Sequence, residues 1–130
     1  MNNNINVSSP NFGMAYLKGN TKRLAKHLNE LKPEQLNELT EKMADAAGKL
    51  KGTMFADAMV HAAEDGKTLY HEVTWYAPYF KEDGSVATGG LRTTVNTIEE
   101  AVKTTLEKEK EMEAAWQYAR AQEALLKRLL

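Results

Sequence analysis

The chain is 130 residues long, 42% hydrophobic and 27% charged, with a formal charge of −1. That suits one domain with a real core, and it is too balanced to set up a global field for nucleic acid or an anionic membrane. There is no cysteine, which excludes disulfides, thiolate catalysis, cysteine-ligated zinc and iron–sulfur clusters.

Residues 1–20 carry no hydrophobic period. The segment lacks the basic and apolar regions of a signal peptide, and no apolar run reaches transmembrane length. A cytoplasmic protein without membrane contact is expected. Residues 1–20 read as a flexible arm. Within it, Asn11 to Leu17 offers Phe12 and Tyr16 as docking groups. The domain itself is expected over residues 21–130.

Thr21 to Leu31 is a short helix with Leu24, Leu28 and Leu31 on one face and Lys22, Arg23 and Lys26 on the other. His27 falls on the basic side and is expected to be solvated. Lys32-Pro33 ends this helix, because the residue before proline avoids the α region. Pro33 then opens a second helix, lined by Leu36, Leu39, Met43, Ala46, Ala47 and Leu50 and stopped near Gly52.

Thr53 to Glu64 fits two periods. As a strand it mixes polar and apolar residues, with Asp57 on the same face as Met59. As a helix it gathers Met54, Phe55, Ala58, Met59 and Ala62 on one side, so a helix is the expectation. A third strand is the alternative.

Lys67 to Val95 reads as a β-hairpin, rich in Val, Thr, Trp and Tyr. Asp83-Gly84 read as a two-residue turn sets Tyr76 opposite Leu91 and Trp75 opposite Arg92, the latter as a cation–π pair. Pro78 and Gly89-Gly90 suggest a bulge or break at mid-length. Trp75 and Tyr79 share one face, and Tyr70, Tyr76 and Phe80 the other. One face is expected against helices, since a lone hairpin is marginal in water.

Thr97 to Leu130 is a long helix opened by a capping box, Thr97-Ile98-Glu99-Glu100, with no Gly or Pro inside it. Ile98, Val102, Met112, Trp116, Ala119, Leu126 and Leu130 mark one apolar face, interrupted by Thr105, Glu109 and Glu123. Past Ala114 a second stripe appears: Tyr118, Ala121, Leu125 and Leu129. A helix over 97–130 would be roughly 51 Å long. A compact domain of this size is about 35–40 Å across, so the helix is expected to protrude.

The fold expected is thus α+β: short N-terminal helices, a central antiparallel β-hairpin and a long C-terminal helix. No GxSxG, phosphate-loop or HExxH motif is present, and no nucleophile has a base at readable spacing. His61 and His71 flank a turn, with Asp57 or Glu72 as a third donor, but the spacing matches no zinc pattern. Glu64-Asp65-Gly66 and Glu82-Asp83-Gly84 are turn chemistry. No enzyme activity, metal or cofactor is expected.

Function is therefore expected in contacts with other molecules. The first reading is a protein–protein interaction module. It self-associates, as a homodimer, through Trp116, Tyr118, Leu125, Leu126, Leu129 and Leu130. The alternative is a small nucleic-acid-binding regulator using Lys22, Arg23 and Lys26. It rests on a net charge of +4 between Lys18 and Lys32, against −4 between Asp57 and Asp83.

Overall fold

The computed structural model describes residues 16–129. In chain order the elements are β1 (Tyr16–Lys18), α1 (Thr21–Asn29), α2 (Pro33–Lys49), β2 (Ala56–Ala62), β3 (Leu69–Phe80), β4 (Val86–Val95) and α3 (Ile98–Leu129). The expected α+β architecture is present, with three helices and an antiparallel β2–β3–β4 sheet. The short β1 adds to the β2 edge in parallel. Most of the arm, residues 1–15, lies outside the described residues, and so does Phe12. Tyr16 is docked: it is buried, and its strand pairs Tyr16 with Ala58.

The helices share one face of the sheet. Leu24 of α1, Ala46 and Leu50 at the end of α2, and Ala101 and Val102 of α3 meet Ala58, Val60, Ala62 and Val73 in one core. Leu28 and Leu36 stay exposed, so the leucine faces of α1 and α2 close the core only in part.

Residues 56–62 form a strand, and the helical reading of Thr53 to Glu64 is wrong. Along β2 the buried positions alternate: Ala56, Ala58, Val60 and Ala62 face the helices, while Asp57, Met59 and His61 face away. Alanine is the best helix former, and that is what misleads. Here it is chosen for size, because a row of methyl groups lets helices approach the sheet closely.

The hairpin register is also displaced by one residue from the expectation. Trp75 pairs with Leu91, Tyr76 with Gly90, Thr74 with Arg92 and Phe80 with Val86. The loop is not a two-residue turn. Lys81 N donates to Ser85 O at 2.8 Å and Gly84 N to Lys81 O at 3.0 Å, with Gly84 at φ +85°. This is the three-residue loop in which a left-handed glycine closes a bulge. Asp83 holds it by accepting from Ser85 N at 2.9 Å.

The slip moves Arg92 to the face opposite Trp75. It reaches Glu72 at 3.4 Å instead, and Lys108 takes the place over the Trp75 ring, 4.6 Å from its centroid. No break occurs at Pro78 or Gly89-Gly90; both strands run through. Tyr76 N points away from β4, to Phe55 O at 2.9 Å. Pro78, two residues on, therefore turns its missing donor toward the same side, past the end of β2, where no strand needs it.

α3 is 32 residues without interruption, about 48 Å. The hairpin goes with it. β3 has 12 residues, about 40 Å, and the loop glycine Gly84 lies against the Leu126 side chain in the last turns of α3. Packing therefore follows the helix nearly to its end rather than its N-terminal half alone. Thr97 Oγ1 accepts from Glu100 N at 3.1 Å, as the sequence predicts.

Candidate interaction surface

Two faces of α3 have separate fates. Val102, Thr105 and Ala119 are buried, and Met112, Trp116 and Leu126 are half-buried against the sheet. The polar interruptions have uses inside the chain. Thr105 Oγ1 donates back to Ala101 O at 2.7 Å. Glu109 accepts from three consecutive amides, Met54 at 3.0 Å, Phe55 at 2.7 Å and Ala56 at 3.0 Å, where the chain enters β2.

Trp116 belongs to this inner face. Its indole N–H donates to Tyr76 O at 2.8 Å and its ring stacks on Phe55, centroids 6.2 Å apart. Within the chain it joins α3 to the hairpin and the β2 entry. Leu126 is likewise occupied, at Gly84. Leu130 lies outside the described residues.

The second stripe remains uncovered. Tyr118 is 67% exposed, Leu125 58% and Leu129 74%. Ala114 before them and Ala121 between them are exposed as well. Lys108, on the β3 side of α3, marks one flank of the inner face, and Glu109 and Trp116, toward the β2 entry, mark the other. At about 100° per residue, the Tyr118–Leu125–Leu129 stripe continues from the Lys108 flank. It is thus turned mostly away from the sheet, toward solvent. Leu91 and Tyr79 of the hairpin are half-exposed too.

The cations of α1 are all exposed. Arg23 lies 3.8 Å from Glu64, one direct link between the positive and negative segments. His27 is buried, contrary to expectation, with Nδ1 3.1 Å from Gly66 O.

His61 and His71 are separated by the sheet. His61 stacks on Tyr70 and sits 3.2 Å from Glu72 on the face away from the helices. His71 is buried on the helix side, its Nδ1 2.5 Å from the Tyr16 hydroxyl. Among the described residues no three potential metal ligands cluster. The groove beside α1, α2 and the start of α3 takes in His71 and His27 but not Trp75, Tyr76 or Tyr79.

Burial pushes the Tyr16 hydroxyl well above the usual phenol range, with Glu99 adding to it. It is therefore a donor at neutral pH, which leaves His71 Nδ1 as acceptor and its proton on Nε2. Burial also lowers the His71 imidazole below its usual value; Glu99 opposes this and His61 adds to it. An unfolded chain binds a proton near pH 6.5 that the folded chain refuses. Folding stability should thus fall as pH drops below about 6.5, with a slope up to ~1.4 kcal/mol per pH unit from this group. His71→Asn should flatten that slope relative to wild type in urea titrations between pH 7 and 5. An unchanged slope would place the proton uptake elsewhere.

No helix among the described residues is long and apolar enough to cross a membrane. Compared with protein-family models, with curated proteins and with solved structures, the chain matches none.

Proposed function

We propose that this protein is a non-enzymatic interaction module that self-associates through the outer stripe of α3. One observation carries this reading: Tyr118, Leu125 and Leu129 line one side of a well-packed helix, and nothing among the described residues covers them. The same helix buries its other apolar face against the sheet, so the stripe is not a by-product of a loose terminus. Contiguous exposed apolar surface of this kind marks contact sites. Trp116 and Leu126 support the interface from behind by fixing the helix, rather than by touching the partner.

The nucleic-acid reading draws less support. It rests on three exposed cations, Lys22, Arg23 and Lys26, a small set, and Glu64 lies 3.8 Å from Arg23, which lowers the local positive field.

The test is mass in solution. Wild type should run as a dimer by light scattering at high micromolar concentration. Leu125→Glu combined with Leu129→Glu should run as a monomer with unchanged circular dichroism, since both side chains are exposed. A monomeric wild type at that concentration would remove the proposal.

A further inference from the structure

Six exposed positions of α3 follow one another in steps of three and four: Glu111, Ala114, Tyr118, Ala121, Leu125 and Arg128. That alternation is the seam spacing of a two-helix coiled coil. The seam has a polarity. It begins with an acid and ends with a base, and its interior alternates small and large: alanine, tyrosine, alanine, leucine. The whole helix shares the bias. Residues 98–113 hold six carboxylates against three lysines, while residues 114–129 hold three cations against Glu123 alone.

This pattern reads differently in the two orientations that a second copy can take. Side by side in parallel, Glu111 would meet Glu111 and Arg128 would meet Arg128. Tyrosine would crowd tyrosine, and alanine would face alanine across a gap. Antiparallel, every position finds its complement. Glu111 meets Arg128, Ala114 meets Leu125 and Tyr118 meets Ala121, and each pair occurs twice by two-fold symmetry. Large opposite small is how a helix seam fills without voids, and like charges placed opposite one another select against the wrong alignment.

We infer that the occupant of this stripe is a second copy of the chain, docked through antiparallel α3–α3 pairing in the register that sets Glu111 against Arg128 and crosses between Tyr118 and Ala121. The inference rests on the self-association proposed above and specifies its geometry. Glu111, itself exposed, already has a half-buried neighbour, Lys108, at 3.4 Å on the helix surface. Such surface pairs contribute little, so Glu111 remains available to a partner. Leu129 falls just outside the seam and widens the contact.

Charge exchange tests the register. Arg128→Glu should weaken dimerisation at least about tenfold at low salt, and Glu111→Arg should do the same, because each sets like charges opposite one another. The double variant, Glu111→Arg with Arg128→Glu, should return to within a few-fold of wild type. Orientation is tested by thiols, and the chain has none of its own to interfere. Under mild oxidation, Ala114→Cys and Leu125→Cys chains should each stay uncrosslinked when alone and bridge when mixed. If each crosslinks to itself, or if charge exchange gives no rescue while wild type is dimeric, the antiparallel register is wrong and self-association stands. A monomeric wild type overturns both.

Discussion

Glu109→Ala is expected to lower folding stability by about 3 kcal/mol, although the residue sits within a run of surface charges. Its carboxylate gathers the amides of Met54, Phe55 and Ala56, at 2.7–3.0 Å, as the chain turns into β2. These donors precede the β2–β3 ladder, whose first pair is Ala56 with Trp75. Ala56 is buried and Phe55 half-buried, so water does not readily replace the lost acceptor. A hydrogen bond to a charged group is worth about 1.5–3 kcal/mol, and orphaned donors cost more than the bond itself. Three bonds to one carboxylate are not additive, which keeps the sum near the figure given. Glu109→Gln retains an acceptor oxygen without the charge and should lose roughly half as much. Urea unfolding of the three proteins measures this. Native-state hydrogen exchange adds a local reading, since the Phe55 and Ala56 amides should lose protection first. A loss under 1 kcal/mol for the alanine variant would mean that the three contacts carry no weight.

Glu109 also shows what a sequence withholds. Its place on the apolar face of a helix is legible, and it reads there as a defect in amphipathicity. That it clamps the backbone of a segment more than fifty residues away depends on which amides a turn leaves free, and no periodicity reports that. Thr105 is similar: its hydroxyl is satisfied within its own helix, so it is buried without a partner elsewhere.

The long helix, its cap, the two short helices and the hairpin were legible because each carries local chemistry, in caps, prolines and periods. β2 was not, because the alanines that make it strong helix material also let it sit under the helices. The hairpin register turned on one backbone angle: Asp83-Gly84 suits both a two-residue turn and a three-residue loop with a glycine bulge. A slip of one residue then exchanged the faces of Arg92 and its neighbours. The two faces of α3 fared differently. The outer stripe of α3 stood out in the sequence. The engagement of Trp116 did not, since it depends on Phe55 arriving from another element.

Leu50→Ala is expected to cost about 3–4 kcal/mol, toward the upper part of the range for such truncations. The size of that cost depends on how far the surroundings can collapse into the space left behind. Leu50 is fully buried and, with Val73 and Thr105, is among the largest side chains so enclosed. Four of its nine buried core companions, Ala46, Ala58, Ala62 and Ala101, have no rotamers with which to fill a hole. The backbone is pinned as well. Leu50 N donates to Ala46 O at 3.0 Å, and Leu50 O accepts from Thr53 N at 3.2 Å and from its hydroxyl at 3.0 Å. The cavity should therefore persist. Leu50→Met conserves volume and should lose less than about 1.5 kcal/mol. Denaturant midpoints decide this. If alanine and methionine destabilise alike, the end of α2 is free to settle inward and the packing argument fails. Neither change touches the outer stripe of α3, so below the unfolding transition both variants should keep the oligomeric mass of wild type. A Leu50→Ala chain that folds yet runs as a monomer would show that the stripe depends on the core behind it, because small shifts of α2 would then reach α3 through Ala101 and Val102.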